Sequence, residues 1–206
     1  MHSTTEESNP YHHGDLRTAL VDAGIRLLRS GGADAVTLRA VAREAGVSHA
    51  APYRHFSNRD QLFAEVATPC LQELGRRLED AAAGSDGDAS IRIRTIGRAY
   101  IAFAIERPEE YRLIFGSRVA SFDEHEGLSR GSKAAFGVLV TAIEAGQAEG
   151  LIVSGPAAGL ATFAWATLHG LAGLFVERRL DAADEPMRNH LVSRVTGLII
   201  DGMGIR

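Results

Sequence analysis

Apolar residues recur along this chain at the three- and four-residue spacing of helices, and no stretch sustains the two-residue alternation that a half-buried strand needs. From Asp15 to Ser30, Leu16, Leu20, Ala23 and Leu27 share one helical face, and Gly31-Gly32 ends the helix with residues that tolerate left-handed geometry. Thr37 is placed to cap a short helix whose inner face is Leu38, Val41, Ala42 and Ala45. Gly46-Val47-Ser48 turns the chain, Ser48 caps a second short helix reaching about Phe56, and a longer helix runs from about Arg59 towards Leu78. Residues 82–89, rich in Gly and Asp, read as a loop, and Ser90 caps a helix presenting Ile93, Ile96, Tyr100 and Phe103. Pro108 stops that helix near Arg107 and opens a short one, with Glu109 and Glu110 in the turn where the macrodipole favours acids. Residues 116–131 read mostly as loop, followed by helices from about Ser132 to Glu149, from near Pro156 to near Leu180, and from near Pro186. The pattern predicts an all-α chain of about nine helices. Its 22 glycines exceed the usual helical share, so some must sit where helices end or touch closely.

The length of 206 residues suffices for a buried core, and 45% hydrophobic with 23% charged residues is a globular balance. A single cysteine excludes an internal disulfide and a thiolate metal cage. The first fourteen residues lack the basic-then-apolar layout of a signal peptide, which gives a cytoplasmic expectation. The net charge of -4 argues at first against nucleic acid, but it is unevenly spread: residues 1–11 carry -2, residues 12–59 carry +3 and residues 60–206 carry -5. The acidity belongs to the second part of the chain.

The basic segment contains TLRAVAREAGVSHAAPYRHFSNRDQLF, residues 37–63, whose two short helices about a Gly-containing turn have the form of a helix-turn-helix. Its inner positions are apolar, whereas Arg39, Arg43, His49, Tyr53, Arg54 and His55 lie outside and can all donate hydrogen bonds. Helix N-termini at Thr37, Ser48 and Arg59 add backbone N–H groups suited to phosphates. A solvated amphipathic helix pair is the alternative.

Gly46-Val47-Ser48, Tyr53-Arg54-His55-Phe56 and Asn58-Arg59-Asp60-Gln61-Leu62-Phe63 resemble the DNA-binding signature of the TetR (tetracycline repressor) family, densely from about Gly14 to Ala67. The resemblance implies a three-helix DNA-binding head over residues 12–58 and a helical effector-binding and dimerising body over residues 59–206. It places Arg39 at a base-contacting position, His49, Ala50 and Ala51 along the recognition helix, and Tyr53, His55 and Arg59 at phosphate-contacting positions, with Thr37 as a cap. Ala50, Ala51 and Pro52 depart from the pattern: they offer few base-reading groups, and Pro52 removes a helical hydrogen bond about four residues past Ser48. Trp165-Ala166-Thr167-Leu168-His169-Gly170 resembles a Trp-x-x-x-His-Gly signature of one TetR branch, and residues 100–115 resemble its accompanying region.

Residues 150–176 carry no formal charge and are long enough to cross a bilayer, but glycines, Pro156 and His169 dilute them, and a small-residue face suits close helix contact. His12-His13 and residues 123–126 read as solvated polar segments rather than metal sites, and Cys70 as packing rather than a redox sensor. No catalytic triad order, phosphate loop or dinucleotide fingerprint occurs, so no enzyme activity and no cofactor are expected. The expectation is a homodimeric repressor on a palindromic double-stranded DNA operator, joined through its last two helices and released by a small, mostly apolar effector; an activator or effector-independent regulator, or a helical interaction module without specific DNA binding, is the alternative. Tyr100, Phe103, Phe115, Phe136, Trp165 and His169 are its candidate pocket residues.

Overall fold

A computed structural model of the chain describes residues 13–119, 122–180 and 184–204. These form eight α-helices: α1 His13–Ala35, α2 Leu38–Glu44, α3 Arg59–Ala83, α4 Ala89–Glu106, α5 Pro108–Phe115, α6 Glu126–Ala148, α7 Ala157–Val176 and α8 Glu185–Met203. Two 3-10 turns, Pro52–Arg54 and Phe122–Glu124, complete the set. Among the described residues the extended pairing is one isolated bridge, between Ile152 and Gly204. The all-α expectation therefore holds, close to the predicted number of helices. The chain divides into two compact units, Met1–Val66 and Ala67–Arg206, with the boundary inside α3.

In the first unit, Leu20, Val41, Phe56 and Leu62 are fully buried. The predicted stop at Gly31-Gly32 falls on the second glycine alone: Gly32 leaves the helical region at φ 69°, and a short helical stretch continues to Ala35. Thr37 caps α2 as expected, its hydroxyl accepting from the Ala40 N–H at 3.1 Å. The cap of α3 is Asn58, whose Oδ1 accepts from the Gln61 N–H at 2.8 Å, while Gln61 Oε1 accepts from the Ser57 N–H at 2.7 Å. This is a capping-box arrangement shifted back by one residue. Pro69 sits inside α3 and removes one rung of its ladder.

In the second unit, α4 packs against α6, α7 and α8, with Ile93, Ile96, Phe103 and Ala104 in the core. Its cap is Asp88 rather than Ser90. The Asp88 carboxylate accepts from the Ile91 N–H at 3.0 Å and from the Ser90 hydroxyl at 2.6 Å, so the serine supports the cap instead of forming it. Helix α6 starts at Glu126, earlier than the predicted Ser132, and therefore contains Gly127 and Gly131. Those glycines are there for contact: a Cβ on Gly127 would stand 2.9 Å from Thr68 Cγ2, and one on Gly131 would stand 3.2 Å from Leu71. Helix α7 ends at Val176, short of Leu180, because Arg178 turns into the left-handed region at φ 52°. The Arg179 N–H then closes the helix end on the Leu174 carbonyl at 2.8 Å. Asp184 caps α8, with Pro186 in its first turn.

Candidate functional site

The exposed side of the first unit is built by α2 and the segment after it. Leu38, Val41 and Ala42 face inward, which leaves Arg39 and Arg43, one turn apart, in solvent. Gly46, at φ 69°, reverses the chain, and the Val47 N–H donates to the Ala42 carbonyl at 2.9 Å. The second helix expected from Ser48 to Phe56 is absent; residues 52–54 form a single 3-10 turn. The cause is Pro52, which has no N–H to offer the Ser48 carbonyl four residues back, so the Ala51 N–H takes that carbonyl at 3.0 Å and the turn tightens. Ser48, His49, Ala50, Tyr53 and Arg54 are exposed, with Tyr53 at 56%. Ala51 and His55 are half-buried, and His55 tilts against the buried Phe56.

Of the cations in this segment, Arg17 pairs with Glu65 at 2.6 Å and Arg26 with Glu44 at 2.8 Å. Arg59, expected at a phosphate, is already engaged: Nε donates to the Val36 carbonyl and Nη2 to the Ala33 carbonyl, each at 3.0 Å, and the guanidinium lies over the Phe63 ring at 4.8 Å. It closes the end of α1. Among the described residues the side chains of Arg39, Arg43 and Arg54 make no hydrogen bond or ion pair, so the free positive charge of the unit is concentrated on α2 and the following turn.

The second unit contains a cavity of about 230 Å³ between Leu71, Leu74 and Leu78 of α3, Ile96 and Tyr100 of α4, Phe115 of α5, Ser132, Lys133, Ala135, Phe136 and Leu139 of α6, and Trp165 and Leu168 of α7. Phe136 and Trp165 meet edge to face in its wall, 6.3 Å between centroids. Four of the six expected pocket residues, Tyr100, Phe115, Phe136 and Trp165, line it. Phe103 does not: it is fully buried, with the Arg77 guanidinium 5.7 Å from its ring centroid. His169 also lies outside the lining. Its Nδ1 stands 2.8 Å from the Tyr100 hydroxyl and 2.9 Å from the Tyr111 hydroxyl, and Tyr111 also donates to the His169 carbonyl at 3.2 Å. With the Tyr111 hydroxyl donating to the carbonyl, Nδ1 and the two hydroxyls form one closed hydrogen-bond network. Burial keeps this set neutral: it pushes the Tyr111 hydroxyl up to about 12, raises Tyr100 further and lowers His169. Tyr111 was not among the expected residues, and its signal was its place four residues before Phe115, on the same helical face. Among the described residues no group of three potential metal-ligating side chains comes together; His12 lies outside them.

Residues 20–66 match the bacterial regulatory proteins of the tetR family, and residues 93–196, half of the chain, match the tetracyclin repressor-like C-terminal domain. The chain belongs to the tetR family. Among tetR relatives and similar proteins, an HTH-type transcriptional regulator of Mycobacterium tuberculosis is 31% identical over 140 residues, covering 66% of this chain and 58% of the relative. The match thus spans little more than half of that relative's length. The nicotine-responsive transcriptional repressor HdnoR of Paenarthrobacter nicotinovorans is 37% identical over 82 residues, 40% of this chain and 42% of its own. A solved structure of a protein of unknown function from Rhodococcus sp. RHA1 shares 32% identity and a TM-score of 0.79, over 96% of this tetR chain and 100% of the other.

Proposed function

We propose that this tetR-family chain is a cytoplasmic, DNA-binding transcriptional regulator: a homodimeric repressor that leaves a palindromic operator when a small, mostly apolar ligand binds its second unit. The observation that carries the DNA assignment is the set of unengaged cations, Arg39, Arg43 and Arg54, beside exposed Tyr53 and His49 on α2 and the turn that follows it. Arg39 reads bases; Tyr53 and His55 contact phosphate; Thr37 and Ser48 hold the backbone that approaches the duplex; Ala50 and Ala51 supply methyl contact only. Arg59 acts at the phosphates chiefly by fixing the end of α1.

Support for the effector reading comes from the apolar cavity and from α3, which contributes Leu62 and Phe63 to the core of the first unit and Leu71, Leu74 and Leu78 to the cavity wall. A ligand bearing on those leucines shifts α3 and with it the half-site spacing, which for successive major grooves is about 34–36 Å. By linkage, operator DNA weakens the ligand by the same factor.

Support for the dimer comes from α7. It is long and apolar enough to cross a membrane, yet only 33% of its apolar window is buried within the chain. Phe163 and Leu174 on it, and Leu198 on α8, are about half exposed. Cβ atoms at Gly159, Gly170 and Gly173 would meet nothing within 4 Å, which leaves room for a second copy's helices. Sedimentation of a homodimer, converted to monomer by Phe163→Glu with Leu198→Glu, is the expected result; recovery in pelleted membranes without detergent would count for a membrane span instead.

The DNA assignment is tested by footprinting on the DNA upstream of the protein's own gene. A protected palindrome that is lost in Arg39→Ala and in Tyr53→Ala supports it, and the absence of any specific protection at any salt concentration rejects it.

A further inference from the structure

The cavity wall is apolar almost throughout, and the Tyr100 hydroxyl in it is already engaged. The Tyr100 hydroxyl is hydrogen-bonded to His169 Nδ1 at 2.8 Å. Tyr100 is thus tied to α7 rather than left open to a ligand. Two further polar side chains lie on α6: Ser132 and Lys133, adjacent in sequence and both in the lining. Among the described residues neither side chain has a hydrogen bond or an ion pair. The nearest acidic neighbour on the helix, Glu126, is held by Arg130 at 3.3 Å.

Lys133 has a second peculiarity. It is the only lysine in a chain whose other cationic side chains are all arginine. An ammonium is a compact point charge on a flexible apolar stem, which can lie along a greasy wall and place its charge at the mouth. The polar end of the cavity is therefore donor-rich and cationic, and no carboxylate is in its lining.

We infer that the ligand of this cavity is an amphipathic monocarboxylate. Its apolar body fills the space between Leu71, Leu74, Phe136 and Trp165, and its carboxylate accepts from the Lys133 ammonium and the Ser132 hydroxyl. The inference rests on the reading of this cavity as the effector site and narrows its ligand from apolar to anionic and apolar. A neutral amide of the same shape fills the body of the cavity equally well but leaves the ammonium unpaired, so the difference between acid and amide isolates the contribution of Lys133. Because Lys133 is exposed, that difference is screened by salt.

Trp165 is the only tryptophan and stands in the cavity wall, so its fluorescence reports occupancy without any DNA present. The experiment titrates the full chain with octanoate and hydrocinnamate, each beside its primary amide, at low and high salt, and repeats this with Lys133→Met and Lys133→Arg. The expected result is that at least one acid binds about tenfold or more tighter than its amide. The preference narrows with salt, disappears in Lys133→Met through weaker acid binding, and survives in Lys133→Arg. Equal affinities of acid and amide, no response to either pair, or a preference that persists in Lys133→Met overturns the inference. Binding and operator release are separate readouts. A chain that prefers the acid but never protects DNA sustains the ligand class and removes the regulatory reading; a chain that protects DNA without the preference does the reverse.

Discussion

Arg59 carries two demands at once, because its guanidinium ties the Val36 and Ala33 carbonyls while standing next to the DNA-binding segment. Removing those bonds leaves two carbonyls at a helix end without their donor, so Arg59→Ala lowers the stability of the first unit by about 1–3 kcal/mol, measured by urea denaturation. Arg39→Ala has no bond to break within the chain and leaves the midpoint within about 0.5 kcal/mol of wild type. In the second unit, His169 is kept neutral by burial, so its folded pKa lies below the ordinary value of 6.5. The unfolded chain then binds the proton more readily, and the corresponding stability is full above about pH 6.5 and is lost as pH falls towards the folded pKa. Thermal unfolding followed from neutral to mildly acidic pH shows this decline, and His169→Gln flattens it; an unchanged slope in that variant removes the assignment to His169.

The elements themselves were legible where one local rule acted alone. Thr37 before Leu38, Pro108 after Arg107 and Pro186 at the start of α8 each mark a helix boundary by their own chemistry, and each lies within a residue or two of the boundary read from it. The failures came where two rules competed. Asp88 and Ser90 are both good caps, and the carboxylate outcompeted the hydroxyl. Gly127 and Gly131 look like loop residues in sequence because the requirement they meet, room for Thr68 and Leu71, belongs to a distant part of the chain. Pro52 was recognised as costing one bond, but the loss removed the whole α-helical ladder of a segment too short to propagate without it. The same division holds at the cavity: the aromatic positions were readable from helical spacing, whereas the hydrogen bond between Tyr100 and His169 depends on which helices meet. At this scale, Pro52→Ala restores the missing N–H. Carbon chemical shifts of residues 48–56 should move to α-helical values, and shifts that stay at turn values would contradict the account of this segment. Gly127→Val forces a branched side chain onto Thr68 and destabilises the second unit by about 1–3 kcal/mol, read by thermal unfolding.

For the whole molecule, the net charge of -4 resolves into a basic stretch, residues 12–59 at +3, between an acidic start at -2 and an acidic remainder at -5. With Arg39, Arg43 and Arg54 the free cations beside the turn, the phosphate attraction of one unit is modest, and operator affinity depends on two units acting together. The measurement that bears most directly on this is fluorescence anisotropy of the chain on the protected duplex and on a scrambled duplex of equal length, each over a range of salt, for wild type, Arg39→Ala and Tyr53→Phe. The expected result is preference for the protected duplex and a binding constant that falls steeply with salt. Arg39→Ala should cost about 1–3 kcal/mol on the protected duplex and little on the scrambled one, while Tyr53→Phe weakens both alike. Equal binding of both duplexes by the wild type, or binding that none of these substitutions alters, would contradict the assignment of this unit to sequence-specific DNA recognition.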